Sequence, residues 1–552
     1  MKPRFKKILL CLLLAAAASL PLLNGSLPYG NDTTFHMNRI EALTYAIYNR
    51  DFFPRIFWFQ NYNFGYGSPL FYSIVFLYFP AALRILHVPM IMTYRIFLFV
   101  IFFCTAYAMY SLIETVLGKQ PVLCFTGSMF YLFCTYIYQN TYNRGAVGEA
   151  LAYIFIPLIL LGLYHLFVLH SGKWHILTLA LTGLLLSHNI SFFLIVLLIV
   201  VYCLIHVREI FRDRNLLMDL FLAVFTAFLL TCWFSLPMLE QLSSHLYRVS
   251  NYFFNGQTLH EQSVRIRDLF NLLPYDYDHL TVTNLGVFVL FLPALSFLFR
   301  DDHRFIHEMT NLGYILLLMS TFLFPWQYFS AMSFIQFPQR FLIICAAPLT
   351  LSAVFVLKNL LSGHKNLVYG ITAVQCLLCL MMIWVQYDYF GLFMDYTQPE
   401  MIADTGYYYP EDDSWYNIMQ VSSPDYLIAD TKIHFRHQTH DILFENSSLS
   451  EYKSVYNHIR FNAQESGTCI LPKTYYKGYS ARNMETRELK EVTPDPVTGL
   501  VKIELREDEK NCMIDVSYTG TRLQTITQYI SLLTWAEFLI YLCRYYFRAR
   551  PQ

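Results

Sequence analysis

The stretch SPLFYSIVFLYFPAALRIL, residues 68–86, is long and apolar enough to cross a bilayer, and whether it does so decides the topology of the whole chain. Apolar runs of comparable length lie at 8–24, 69–88, 91–116, 121–139, 147–169, 174–190, 191–207, 216–238, 284–299, 309–326, 338–357, 366–387 and 524–543. If all of them crossed, the N-terminal cluster Lys2, Arg4, Lys6 and Lys7 and the basic loop HVREIFRDRN (206–215) would face opposite sides. Short cytoplasmic loops gather Lys and Arg, so one run must fail to span. Pro69 at its start, Pro80 inside it, and Arg84 and His87 at its end mark residues 68–86 as that run. It is expected to lie in the outer interface or to dip into the membrane. About twelve crossings then place Lys119, Lys173, Arg208, Arg300, Lys358 and Arg544, together with both chain ends, in the cytoplasm.

Composition sets the same class. Of 552 residues, 56% are hydrophobic, 18% aromatic and only 14% charged, with no formal net charge. That balance belongs to a polytopic membrane protein, and without a concentrated basic surface it excludes nucleic acid as a partner. The N-terminal run is either a cleaved signal or an uncleaved first helix; the membrane character of the rest of the chain favours retention. Most of the 12 cysteines fall in apolar runs and read as small hydrophobes. Cys469 and Cys512 share a polar region, where an extracytoplasmic location would permit a disulfide.

The expected fold is therefore all-α and polytopic over residues 1–387, with a first outer loop at 25–90. A small extracytoplasmic domain, β-rich or α+β, comes next at 388–523, where GLVKIELRE and NCMIDVSYTG alternate with strand period. Residues 524–552 supply a last transmembrane helix and a cytoplasmic tail.

Sidedness alone gathers on the outer face the segments 25–90, 139–149, 187–191, 239–283, 325–340 and 388–523. In GNDTTFHMNRI (30–40), Asp32, His36 and Arg39 fall within about 60° of one another on a helix starting near Thr33. Asp32 can be read as a helix N-cap, but ionisable groups at the mouth of a membrane span usually mark a site. NRGAVGEA (143–150) brings Arg144 and Glu149 to the entrance of another crossing, either as a structural ion pair or as site residues. SHN (187–189) sets His188 in a tight turn, and IQFPQRF (335–341) sets Gln336 and Arg340 around Pro338. An arginine entering a membrane needs an anionic partner, for which a lipid phosphate is suited. The aromatic stretch WFQNYNFGYGSPLFY (58–72), with Tyr66, Asn61 and Asn63 beside Gly65 and Gly67, suits either an interfacial aromatic belt or the stacking of a sugar. There is no Walker A loop, GxGxxG, HExxH or GxSxG sequence, so nucleotide hydrolysis and zinc proteolysis are not indicated.

This order of segments resembles the GT-C class of integral membrane glycosyltransferases. More closely, GNDTTFHMNRI, NFGYGSPLF, NRGAVGEA, SHN and IQFPQRF resemble the YfhO-like, or 6-pyruvoyl-tetrahydropterin-synthase-related, bacterial membrane proteins over most of residues 1–387. The resemblance implies transfer of a sugar from a polyprenyl-phosphate-linked donor to a cell-envelope glycopolymer, lipid or protein outside the cell membrane. It makes Asp32 the catalytic base, or a holder of a divalent cation such as Mg or Mn together with Glu149. It assigns Arg144 and Arg340 to the departing phosphate, and His36, Arg39, Tyr66, Glu149, His188 and Gln336 to positioning or binding substrate. The first loop lacks a clear DxD or ExD pair. A multi-pass transporter or lipid-linked-sugar flippase shares the layout, and a non-catalytic scaffold that binds envelope polymer is a third reading.

Overall fold

A computed structural model describes residues 3–24, 32–250, 258–270, 283–299, 303–393, 424–429, 431–433, 435 and 438–548. Parts of the expected outer segments 25–90, 239–283 and 388–523 lie outside the described residues. The helices in chain order are α1 (Pro3–Ala18), α2 (Thr33–Tyr48), α3 (Ser68–Phe71), α4 (Tyr78–Ile85), α5 (Met90–Leu117), α6 (Pro121–Leu132), α7 (Thr135–Gln139), α8 (Val147–Phe167), α9 (Trp174–Leu185), α10 (Asn189–Ile205), α11 (Val207–Arg212), α12 (Arg214–Ser244), α13 (Val287–Phe291), α14 (Arg304–Ser320), α15 (Phe341–Gly363), α16 (Lys365–Phe393) and α17 (Arg522–Arg548).

Among the described residues six helices, α5, α8, α12, α15, α16 and α17, are long and apolar enough to cross a membrane. Counting the pair α6–α7, bent by 52°, as one span gives a seventh. Other apolar runs form shorter helices because the chain interrupts them. The runs at 174–190 and 191–207 become α9 and α10, separated at Leu186–His188, and the 17 residues of α10 rise only about 26 Å. Residues 68–86 fold as α3, a short 3-10 turn and α4, none long enough to cross.

The chain divides into two compact units. Unit 1 comprises Met1–His36, Leu86–Phe228 and Phe253–Ile402; unit 2 comprises Met37–Ile85, Leu229–Tyr252 and Ala403–Gln552. The boundaries fall inside α2, after His36, and inside α12, after Phe228.

In unit 1, α15 is the buried axis. Phe341 to Ala347 are each fully buried, as expected of a helix apolar on all sides and packed all round. Pro157 inside α8 has no N–H to donate, which frees the Tyr153 carbonyl; the Tyr131 hydroxyl donates to it at 3.0 Å. Lys7 of α1 pairs with Glu114 of α5 at 3.0 Å and lies 4.4 Å from the ring centre of Tyr107.

The described residues of unit 2 form ten strands: β1 (Ile442–Leu443), β2 (Ser448–Leu449), β3 (Lys453–Val455), β4 (His458–Asn462), β5 (Gly467–Thr474), β6 (Tyr479–Asn483), β7 (Leu489–Lys490), β8 (Val492–Pro494), β9 (Leu500–Leu505) and β10 (Met513–Tyr518). They pair in two antiparallel five-stranded sheets, ordered β2-β1-β5-β9-β8 and β3-β4-β10-β6-β7. The alternating sequences GLVKIELRE and NCMIDVSYTG hold β9 and β10. Their inward residues Val501, Ile503, Ile514 and Val516 meet Ile459, Phe461, Leu471 and Ala481 in one core, which makes the pair of sheets a β-sandwich. Cys469 and Cys512 are free thiols, and the disulfide allowed by the sequence is not formed.

The aromatic stretch 58–72 packs within this unit. Ile56, Trp58, Leu70 and Phe71 bury against Tyr247, Tyr476 and Tyr518. A Cβ on Gly67 would come within 2.6 Å of the Tyr476 ring, so only glycine permits this approach. Asn61, Tyr62 and Asn63 all take left-handed backbone (φ 53°, 54° and 68°), a strained run for non-glycine residues. The run is fastened from the sandwich side: His440 Nε2 donates to the Tyr62 carbonyl at 2.6 Å, and Lys473 Nζ to the Asn63 carbonyl at 2.7 Å.

A candidate polar site in unit 1

The site begins where α7 loses helical register. After Gln139 the chain makes a π-turn over Asn140–Arg144, and Gly145 then takes a left-handed conformation (φ 71°) before α8 starts. A Cβ on Gly145 would lie 2.1 Å from the Thr33 hydroxyl oxygen and 2.8 Å from its backbone nitrogen. This contact clamps the first turn of α2 against the π-turn, and the Asp32 N–H donates to the Arg144 carbonyl at 2.9 Å. Local backbone chemistry thereby sets Asp32 beside Arg144, 112 positions away in sequence.

Glu149, on the first turn of α8, is the hub, and its side chain is 2% exposed. Its Oε1 accepts from Arg340 Nε at 2.9 Å and from Arg144 Nη1 at 3.2 Å, and its Oε2 accepts from Asn140 Nδ2 at 2.6 Å. Arg340 also donates to the Ile335 carbonyl and to Gln336 Oε1, both at 2.8 Å, and Gln336 is itself in a left-handed conformation (φ 64°). Arg144 Nε lies 3.4 Å from Asp32 Oδ2. Both guanidinium groups sit over the Phe337 ring, at 5.3 Å for Arg144 and 5.1 Å for Arg340.

His188 caps α10. Its Nδ1 accepts the Ser191 N–H at 3.2 Å, so the lone pair is on Nδ1 and the ring proton of the neutral form is on Nε2. That Nε2 is 3.9 Å from Glu149 Oε1, too far for a hydrogen bond but close enough for charge to be felt.

The result is a chain of alternating charge, Asp32–Arg144–Glu149–Arg340, graded from exposed to buried. Side-chain exposure falls from 37% at Asp32 through 16% at Arg144 to 4% at Arg340 and 2% at Glu149. In their ordinary ionised forms the two acids and two arginines cancel. Among these four side chains Asp32 is the most exposed and Arg144 the next.

Six of the nine residues singled out from the sequence are thus brought together: Asp32, Arg144, Glu149, His188, Gln336 and Arg340. His36 is buried one turn beyond Asp32, with its N–H on the Asp32 carbonyl at 3.0 Å. Arg39 and Tyr66 belong to unit 2. There Arg39 donates to the Tyr72 and Ser73 carbonyls, each at 2.8 Å, and lies 4.1 Å from the Tyr72 ring centre. The Tyr66 hydroxyl accepts the Tyr426 N–H at 3.4 Å, and burial raises its pKa well above the usual tyrosine value. Sequence reasoning, drawn to the charged residues, missed Asn140 and Phe337. Asn140 stands four residues before Arg144 and Phe337 three before Arg340, so both lie beside motifs whose charged members do stand out in the sequence.

Among the described residues no three His, Cys, Asp or Glu side chains gather as metal ligands. Glu149 is engaged by two arginines and an asparagine, and Asp32 by Arg144.

No family model matches the sequence. A protein of Lactococcus lactis subsp. cremoris (strain MG1363), described as uncharacterized, is 22% identical over 343 residues, which cover 59% of this chain. The match spans about half, 55%, of that relative's length.

Proposed function

We propose that this chain is a membrane glycosyltransferase of GT-C type that moves a sugar from a polyprenyl-phosphate-linked donor to a cell-envelope acceptor on the extracytoplasmic face. The observation that carries the reading is the graded charge chain: an accessible Asp32 backed by Arg144, whose position is held from behind by buried Glu149 and Arg340. Asp32 acts as general base, taking the proton from the acceptor hydroxyl as that oxygen bonds to the anomeric carbon. The bond from that carbon to the phosphate oxygen breaks, and the electron pair leaves with the lipid phosphate. Arg144, the more exposed of the two arginines, meets the developing phosphate charge. Arg340 and Gln336 position Glu149, and His188 adds its Nε2–H dipole beside it. The reading gives Arg39 and Tyr66 no chemical step, and none of the steps runs through a metal ion.

A transporter or flippase reading draws support from the 52° bend between α6 and α7 and the π-turn after it, since broken helices are a device of transporters. Mass analysis of envelope polymers and lipid-linked sugars in cells carrying Asp32→Asn separates the two. Transferase chemistry requires an undecorated polymer and accumulation of the lipid-linked sugar at the outer face, with normal protein abundance. A flippase defect strands the lipid-linked sugar on the cytoplasmic face, and unchanged decoration removes Asp32 from the chemistry.

A further inference from the structure

Unit 2 carries a cleft of about 420 Å³ that the chemistry proposed for the charge chain does not use. Its wall starts at the end of α2, where Arg50 takes a left-handed conformation (φ 62°) in place of the usual glycine. The Arg50 N–H donates to the Ile47 carbonyl at 2.9 Å and the Asp51 N–H to the Ala46 carbonyl at 3.0 Å, the two bonds of a Schellman ending. This ending turns Asp51 into the cleft. Asp51 Oδ2 accepts the Tyr456 hydroxyl at 2.9 Å and Oδ1 accepts the Phe53 N–H at 3.3 Å. Among the described residues no cation lies within ion-pair distance of it, and burial pushes its carboxyl above the usual range.

Arg55, another lining residue, is positioned through Pro237. Lacking an N–H, this proline frees the Trp233 carbonyl in α12; Arg55 Nη1 donates to that oxygen at 3.3 Å, and the guanidinium lies 5.5 Å from the Trp233 ring centre. Arg55 Nη2 donates to Gln528 Oε1 at 3.4 Å. Asp51 and Arg55 thus make their hydrogen bonds to neutral partners while feeling each other's charge, and Arg50 is a third charged residue of the lining. The remaining lining alternates aromatic rings (Trp58, Tyr456, Tyr518) with amides and hydroxyls (Asn49, Asn457, Gln528, Thr525).

We propose that this cleft binds a neutral saccharide of one or two rings, with Asp51 accepting from adjacent sugar hydroxyls, the amides bridging others, and Tyr456, less buried than Trp58 and Tyr518, covering a C–H face. A small volume with converging donors and acceptors around aromatic rings is the usual composition of a small polar-ligand site. Asp51 suits hydroxyl donors, and Arg55, which would attract an anion, is held by Trp233 and Gln528; Arg50 also stands in the lining, which makes inorganic phosphate the competing ligand for the test to set against neutral sugars. The proposal does not rest on transferase chemistry; it holds equally for a protein that only carries or anchors a glycan.

The test uses the full chain in nanodiscs and a panel of neutral di- and trisaccharides of glucose, galactose, rhamnose and N-acetylglucosamine. Binding is read by saturation-transfer NMR and by tryptophan fluorescence. At least one member is expected to bind, with affinity reduced about 10-fold by Asp51→Asn, the loss of one charge-assisted bond. The exposed rim variants Asn49→Ala and Gln528→Ala, which leave the core untouched, are expected to weaken it several-fold. Absence of binding by every member overturns the proposal. So does binding insensitive to all three variants, or a preference for inorganic phosphate over the neutral sugars. Failure of Asp32→Asn to alter envelope decoration, by contrast, bears only on the transferase reading.

Discussion

Arg340 Nε stands 2.9 Å from Glu149 Oε1, across 191 residues of sequence, with both side chains almost fully buried. An ion pair in that position holds two segments in register, but it is costly to leave half made.

Glu149→Gln keeps the shape and removes the charge, leaving Arg340 buried beside a neutral amide. Loss of one partner of a buried pair costs about 3–5 kcal/mol, so a large fall in thermal midpoint in detergent is expected. The double variant Glu149→Gln/Arg340→Met should recover part of that loss, because no unpaired charge is left inside. A double variant less stable than Glu149→Gln alone would show that the pair is not the main interaction of Arg340.

Asp32→Asn should behave differently. Asp32 is 37% exposed and its link to Arg144 is at the solvent end of the chain, so stability should change by less than about 1 kcal/mol. Sugar transfer should fall by about 100-fold or more if Asp32 is the general base. The two readouts, protein abundance and decoration of envelope polymer, must separate; parallel loss of both would assign Asp32 a structural role.

Gly145→Ala combines left-handed strain with a collision against the Thr33 hydroxyl and backbone. Gly172→Ala makes an internal control, since Gly172 is also left-handed (φ 64°) but a Cβ there meets nothing closer than Asp219 Oδ2 at 3.9 Å. The control should lose about 1 kcal/mol and Gly145→Ala distinctly more. Equal losses at the two positions would mean that the close approach to Thr33 is not maintained in the protein.

Lys473 supplies a pH signature for unit 2. Burial lowers its ammonium group to about 8, against 10.5 for the free side chain. Between those values the unfolded chain binds more protons than the folded one, so stability rises as pH increases from about 8 to about 10.5. Below that window both states are protonated and the burial cost is present in full. Lys473→Met should flatten this portion of the stability–pH curve; an unchanged slope would assign the dependence to another group.

Membrane character, the β-rich region and the motif neighbourhoods were legible because they depend on local pattern. Apolar runs, the strand-period alternation at 499–507 and 511–520, and polar residues beside Gly and Pro at the helix ends are properties of adjacent residues. The helix lengths were less legible. An apolar run reports hydrophobicity along the chain, whereas the break between α9 and α10, or the bend after α6, depends on which backbone groups find partners elsewhere.

Sequence by itself determined the solvent this protein is made for and the residue types available for chemistry, because transfer free energies add along the chain without reference to the fold. Tertiary structure decided which charges meet. Asp32, Arg144, Glu149 and Arg340 form one ladder because a left-handed glycine and a π-turn bring distant backbones into contact, while Arg39, seven residues from Asp32, gives its guanidinium to the Tyr72 and Ser73 carbonyls. Charge pairing acts over a few ångströms of space, and distance along the sequence does not report that quantity.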